Sequence, residues 1–397
     1  MYRLTNPSMN YAWGSVDLLP QLLGSAPDGR PVAEIWMGAH AAAPSSIVVD
    51  GADVGLDDFI AGCPEQALGA HTVTELGARL PFMMKFLAAA KPLSLQVHPT
   101  RAQARAGYRR ENAAGIAPTD PIRNYRDDEH KPEMLYALTE FEMLCGFGPV
   151  DVLRERLSGL EVEGLDPLIG ALESPDPAKG IEAALSMLLT ASPQHRTDLA
   201  AAVGASAHVR REHRPEFRLV SELAELYPGD IGVVAALFLN RLRIQPGESV
   251  FVGAGMVHSY LRGLGVELMA TSDNVLRAGL TAKHVDAREL LRLVDFAPGE
   301  PRRLQPTGRG DAVVFVPPVP DFALWIYTLD PAADPEQGSV EGPAAGPRIA
   351  VCCHGQATLT RADERVNLRA GQAAFIPHAD GPLDIVTTGT VAVAYKA

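Results

Sequence analysis

The chain has 397 residues, a formal net charge of −13, and 47% hydrophobic against 21% charged residues. That length exceeds what one core organises and suits two or three domains. The acidic balance argues against a general nucleic-acid binder, which would carry a basic face. No apolar run nears the ~20 residues that cross a bilayer, so no membrane partner is expected.

Four cysteines occur, Cys63, Cys145, Cys352 and Cys353. Two are adjacent and none forms a CxxC pair, which fits a reducing compartment. The N-terminal text MYRLTNPSMNYAWG has no basic segment followed by an apolar one, so no secretion signal is expected and the predicted location is cytoplasmic. Six lysines stand against 29 arginines. Yet Lys85, Lys91, Lys131 and Lys283 all fall in the motif-bearing stretches below, where ammonium and guanidinium are not interchangeable.

From residue 1 to about 150, short apolar runs such as EIWMGAH and LPFMMKFL, broken by Gly, Pro and Asp, predict a β-rich region with helical interruptions. Between about 150 and 230 the period changes. Ile181, Ala184, Leu185, Leu188 and Leu189 fall at helical spacing, and Val220, Leu223, Ala224 and Tyr227 repeat it before YPGD stops the run. Strand texture returns at LNRLRIQPGESVFVGAGMVHSYL, where the PGE turn predicts a barrel hairpin. After Pro301 comes Gly/Pro-rich linker, then IAVCCHG, QATLTR, RVNLRAG, QAAFIPH and TVAVAYK, short strands at sandwich or jelly-roll spacing. In the last of these Val391, Val393 and Tyr395 share one face. The text near 371–378 echoes that near 246–258, which predicts a degenerate internal duplication of a jelly-roll unit.

Three polar clusters interrupt the apolar text. In LSLQVHP, strand alternation turns Ser94, Gln96 and His98 to one face. DDEHKPEMLYAL holds His130, Lys131 and Glu133. VHSYLRGLGVELMATSDNVLRAGLTAK holds His258, Glu267, Asp273, Arg277 and Lys283. Gln, His, Glu and His form a mixed nitrogen and oxygen donor set that suits a borderline cation such as zinc.

Taken together, NYAWGS (10–15), EIWMGAH (34–40), PFMMKFLAAAKPLSLQVHP (81–99), EHKPEM (129–134) and the VHSYL…LTAK run (257–283) closely resemble the type I mannose-6-phosphate isomerases of the cupin superfamily. The resemblance runs in order through most of residues 1–300 and is mainly architectural beyond them. It implies a fold that is mainly β with a helical insertion: two jelly-roll (cupin) barrels plus an α-helical domain. The expected boundaries are 1–149 and 236–300 for the catalytic cupin domain, 150–235 for the helical insertion and 301–397 for a degenerate C-terminal barrel.

The resemblance further implies one Zn²⁺ per chain on Gln96, His98, Glu133 and His258, and interconversion of mannose 6-phosphate and fructose 6-phosphate through an enediol. A monomer acting on a small sugar phosphate is expected. Glu267 is the favoured proton-transfer group, with His130 or Lys131 assisting ring opening, Asp273 a further site residue and Arg277 stabilising enediolate charge. Ser94, Lys85 and Lys283 are the expected phosphate ligands. His40, His71 and His284 are read as ordinary residues, and His354 and His378 as belonging to a metal-free barrel.

Three positions depart from the common family text: Glu129 where Asn is usual, LTAK for Leu-Thr-Pro-Lys, and VHSY for Val-His-Ala-Tyr. None removes an expected ligand. The competing readings are a non-catalytic sugar-phosphate-binding sensor on the same barrels and a metal-dependent oxygenase. The glutamine in the donor set weighs against the oxygenase.

Overall fold

The strand Phe82–Ala89 is buried along its whole length, which is why its text is a continuous apolar run and not an alternating one. Its even-numbered residues Phe82, Met84, Phe86 and Ala88 join a core with Ile349, Val351, Phe375 and Ala392. Leu87 and Ala89 face the other way, into a core with Leu135, Ala137, Val250 and Tyr260. This strand lies inside an eleven-stranded sheet whose front packs on a separate seven-stranded sheet. The computed structural model describes residues 1–309, 312–329 and 339–396. The rest of the expected 301–397 unit lies outside the described residues.

The long strand His258–Ala270 links the two halves of the eleven-stranded sheet. Its first residues pair with Phe141–Phe147, and its later ones with Phe82–Ala89 and Glu133–Ala137. The change of partner falls at Gly263, where φ is +129° and a Cβ would stand 2.6 Å from Phe141 Cδ2. Only glycine allows so close a backbone approach there. The two halves thereby enclose the core that contains Leu135, Val252 and Tyr260.

The predicted helical block is present. Pro177–Thr190 starts on an Asp176 cap and buries Ile181, Ala184, Leu185, Leu188 and Leu189, the stripe that its spacing predicts. Val220 and Leu223 are buried on Pro215–Leu226. These helices share a core with Leu95, Val97, Leu276 and Ala278. They therefore back the strands Leu95–Val97 and Leu276–Gly279, and the intervening residues Gln96 and Arg277 face away from them.

On the C-terminal side, Val391 and Val393 pack with Trp325, Leu359 and Ile385, with Tyr395 against the same cluster. Ala392 and Ala394 turn to the core shared with the eleven-stranded sheet. Tyr2–Arg3 pairs with Ala373–Ile376, so the N-terminus is sewn into the C-terminal sheet. The amino group of Met1 sits 2.9 Å from Glu364 and 3.0 Å from Asp380.

The PGE turn does not close a hairpin. Leu239–Ile244 pairs with Phe141–Phe147, whereas Ser249–Val252 pairs with Glu133–Ala137. The turn carries the chain from one half of the sheet to the other. Local turn chemistry reports a reversal of direction, not the partner found after it.

Candidate active site

Gln96 occupies the middle of a row of register partners. It stands opposite His258 on one side and Arg277 on the other. Directly paired residues project to the same face of a sheet, so Gln96, His258 and Arg277 share one. His98 joins them two residues along the same strand text, and it is fully buried. Alternation thus aims these side chains into the space between the two halves of the sheet while Leu95 and Val97 anchor the helices.

Across that space Glu133 reaches both histidines. Its Oε1 is 3.2 Å from His98 Nε2, and its Oε2 is 3.3 Å from His258 Nε2. Each imidazole is oriented through its other nitrogen: His98 Nδ1 lies 2.7 Å from the Asn274 carbonyl and His258 Nδ1 lies 3.0 Å from the Met256 carbonyl. Those carbonyls can only accept, so each Nδ1 carries the proton and each Nε2 presents a lone pair. Both Nε2 atoms are buried without a hydrogen-bond donor.

Burial pushes His98 down to about 4 and keeps it neutral. Burial would raise Glu133, but the Lys131 ammonium beside it holds it well below the usual carboxylate range. Two imidazole Nε2 atoms and a carboxylate, converging out of water, fit a divalent borderline cation. These three are the one such His/Cys/Asp/Glu group among the described residues. Gln96 is half-buried beside His258 in register.

Other expected site residues surround this centre. Lys131 Nζ is 3.0 Å from Glu133 Oε1, and the Tyr260 hydroxyl lies 3.4 Å from Glu133 Oε2. Lys85 is held between two carboxylates, 3.2 Å from Glu267 Oε2 and 3.4 Å from Glu34 Oε1. Trp36 Nε1 donates to Glu34 Oε2 at 2.7 Å, and its ring lies 5.3 Å from the Lys85 ammonium. Burial opposes the charge on Lys85, but Glu34 and Glu267 outweigh it and hold the ammonium above its ordinary range. Burial pushes Glu267 up, with Lys85 opposing. Lys85 is therefore engaged by carboxylates, a setting unlike that of an open phosphate ligand.

The structure does not bring every expected residue to the metal cluster. His130 turns from it, with Nε2 3.0 Å from Asp321 Oδ2. Asp273 Oδ1 is 3.2 Å from His40 Nε2, a histidine that the sequence marks as ordinary. His40 and Asp273 line a cleft of about 580 Å³ with Asp57, Arg79 and Asp127. Arg277 is half-buried and Lys283 exposed. Burial lowers both, and the charge of Arg126 lowers both further. Among the described residues, no carboxylate lies within ion-pair distance of Arg126, Arg277 or Lys283. Ser94 is half-buried at the start of the Gln96 face.

The sequence does not single out Glu34, Trp36, Arg126 or Asp321, and it marks His40 as ordinary. Alternation in EIWM does put Glu34 and Trp36 on one face. Nothing local marks Arg126 or Asp321, and the partners of His40 and Asp321 are distant in the chain.

Fold and site together define a mainly-β protein with a buried group of two histidines and a glutamate that could hold a metal ion. Residues 1–150 match the model of the phosphomannose isomerase type I catalytic domain. The chain is 37% identical over 401 residues to a mannose-6-phosphate isomerase of Escherichia coli (strain K12), covering 100% of both. It is 30% identical to mannose-6-phosphate isomerase 1 of Arabidopsis thaliana, covering 94% of this chain and 89% of that one. A zinc-bound crystal structure of mannose 6-phosphate isomerase superposes with a TM-score of 0.90 at 34% identity, over 100% of this chain and 99% of the other. The chain belongs to the type I phosphomannose isomerase family.

Proposed function

We propose that the chain interconverts mannose 6-phosphate and fructose 6-phosphate with one zinc ion held by Gln96, His98, Glu133 and His258. The observation that carries this reading is the pair of buried, donor-free Nε2 atoms on either side of the Glu133 carboxylate. Full-length relatives named for the same reaction, and a zinc-bound structural neighbour, support it. Zinc would supply Lewis acidity for polarising the sugar carbonyl without redox chemistry.

The chain's own groups account for the rest. Opening the hexose ring needs a proton moved between ring oxygen and anomeric hydroxyl. Of the two candidates, Lys131 lies beside Glu133 and His130 does not. Isomerisation then moves a proton between C2 and C1. Glu267, raised by burial and next to a cation, is suited to take and return it. Arg277 shares the Gln96 face and stays cationic, so it stabilises the enediolate. The phosphate falls to cations with no carboxylate partner among the described residues: Lys283, with Ser94 as the family resemblance implies, and Arg126, whose charge reaches Lys283. Lys85 instead holds Glu267 in place.

The same reading assigns two jelly-roll units, 1–149 with 236–300 and 301–397, and a helical unit 150–235, in a cytoplasmic monomer. The facing sheets and the run of helices support this division, although the helices share their core with Leu95, Val97, Leu276 and Ala278 and Tyr2–Arg3 crosses to the C-terminal sheet. No helix among the described residues is long and apolar enough to cross a membrane.

The test is metal content and coupled isomerase turnover of the same preparation. Turnover that disappears with chelator and returns with stoichiometric zinc is the expected result. Tight binding of mannose 6-phosphate with no turnover in the zinc-loaded protein would instead make it a sensor.

A further inference from the structure

Asp321 precedes the Ala323–Thr328 strand of the seven-stranded sheet, far in the chain from every expected site residue. Its carboxylate is nonetheless 3% exposed and directed at the segment that leads into Glu133. Its Oδ1 and Oδ2 lie 3.1 and 3.0 Å from His130 Nε2, and Oδ1 also accepts from Arg101 Nη2 at 3.1 Å. Arg101 Nε donates to Glu129 Oε2 at 2.8 Å, and Arg79 lies 2.6 Å from Glu129 Oε1. One carboxylate of the C-terminal sheet thus holds His130 and the arginine that grips its neighbour. The next residue, Lys131, projects the other way to Glu133.

The proton between His130 and Asp321 has a definite place. A carboxylate accepts and does not donate, so the hydrogen belongs on Nε2. In the other tautomer, a bare Nε2 would face two carboxylate oxygens at 3.0 and 3.1 Å inside the protein, lone pair against lone pair. Arg101 Nη2 carries two hydrogens, one donated to Asp321 Oδ1 at 3.1 Å and one that a bare Nε2 2.8 Å away could accept; the two carboxylate oxygens facing Nε2 outweigh that single donor.

We propose that Asp321 is a positioning residue of the isomerisation site, which holds His130 through Nε2–H and so fixes the Glu129–Lys131 run that presents the Lys131 ammonium at Glu133. The inference rests on the reading of Lys131 as a site residue. It gives the C-terminal sheet a part in the reaction, because a misplacement of about 1 Å at a reacting group costs on the order of 100-fold in rate. Glu129 strengthens the strut, since its carboxylate pairs with both Arg79 and Arg101.

Asp321→Asn tests it. The side chain keeps its size, but its amide can donate to Nε2 and so favour the Nδ1–H tautomer. The expected result is a fall in kcat of about 10–100-fold with KM changed less than about twofold, and with zinc content and thermal midpoint retained. Asp321→Glu recovers part of the loss. In a His130→Gln background Asp321→Asn costs nothing further, because the two residues act as one unit. Ring-nitrogen NMR shifts of histidine-labelled protein, with His130 assigned by its loss in His130→Gln, should show Nε2–H in the wild type, a readout independent of turnover. Wild-type kcat in Asp321→Asn, an undiminished loss in the His130→Gln background, or Nδ1–H in the wild type would each overturn the proposal. Full activity in Lys131→Ala would overturn the reading of Lys131 instead, and the NMR result would still decide the Asp321–His130 contact.

Discussion

Lys85 and Glu267 face each other as register partners on two antiparallel strands, with Nζ 3.2 Å from Oε2 in an interior closed to water. Trp36 continues the same row on the far side of Lys85, and Glu34 caps it. The row stabilises one ionisation pattern: a cation flanked by two carboxylates, the arrangement that keeps Glu267 beside the centre.

Replacing Lys85 by Met leaves both carboxylates buried without their cation. Breaking a buried pair in this way costs about 3–5 kcal/mol, read as a lower urea midpoint. If Lys85 serves Glu267, kcat falls and KM for mannose 6-phosphate stays nearly constant. A KM raised more than about tenfold at unchanged kcat would return Lys85 to the phosphate.

Loss of a metal ligand should show in stoichiometry before it shows in fold. His98→Ala, His258→Ala and Glu133→Gln are each expected to purify with little zinc. Gln96→Ala should bind it more weakly and exchange it faster with a chromogenic chelator. Full zinc occupancy in His98→Ala would contradict the proposed ligand set.

Acid should destabilise the metal-free protein from an identifiable source. His98 is pushed from 6.5 to about 4 by burial, so the unfolded chain takes up a proton that the folded chain refuses. This contribution is complete above pH 6.5 and is lost as pH falls toward 4, a difference of about 3 kcal/mol. Glu133, also depressed, acts in the same direction at lower pH. Urea unfolding of chelated protein should therefore weaken between pH 7.5 and 5, and His98→Gln should flatten that slope. An unchanged slope in the variant would show that the pH dependence comes from other groups.

Lys283→Ala removes a cation with no carboxylate partner among the described residues. A charge-assisted contact to phosphate is worth about 1.5–3 kcal/mol, so kcat/KM for mannose 6-phosphate should fall roughly 10- to 150-fold. Competition by inorganic phosphate should weaken in parallel. Inhibition by phosphate equal to that of the wild type would remove Lys283 from this role. Arg277→Gln is expected to lower kcat more than it raises KM.

Much of this molecule is legible from short-range pattern. Alternation in LSLQVHP places Gln96 and His98 together, because a strand has only two faces and Leu95 and Val97 claim the one against the helices. Helical spacing finds the buried stripe of Pro177–Thr190, and TVAVAYK shows its two faces directly. The hairpin expected at the PGE turn is absent because turn residues set a change of direction and hold no information about which strand the next segment will join.

The sequence by itself determined which faces are apolar, where helices replace strands and which nitrogen and oxygen donors stand on common faces. These follow from the periods of helix and strand, which operate over a few residues. Packing in three dimensions alone sets the clamp on Lys85 between Glu34 and Glu267, the meeting of His40 with Asp273, and the turn of His130 away from Glu133 to Asp321. An ion pair or a hydrogen bond depends on distance through space, and each of these side chains has the same neighbours in sequence whether it is free or held.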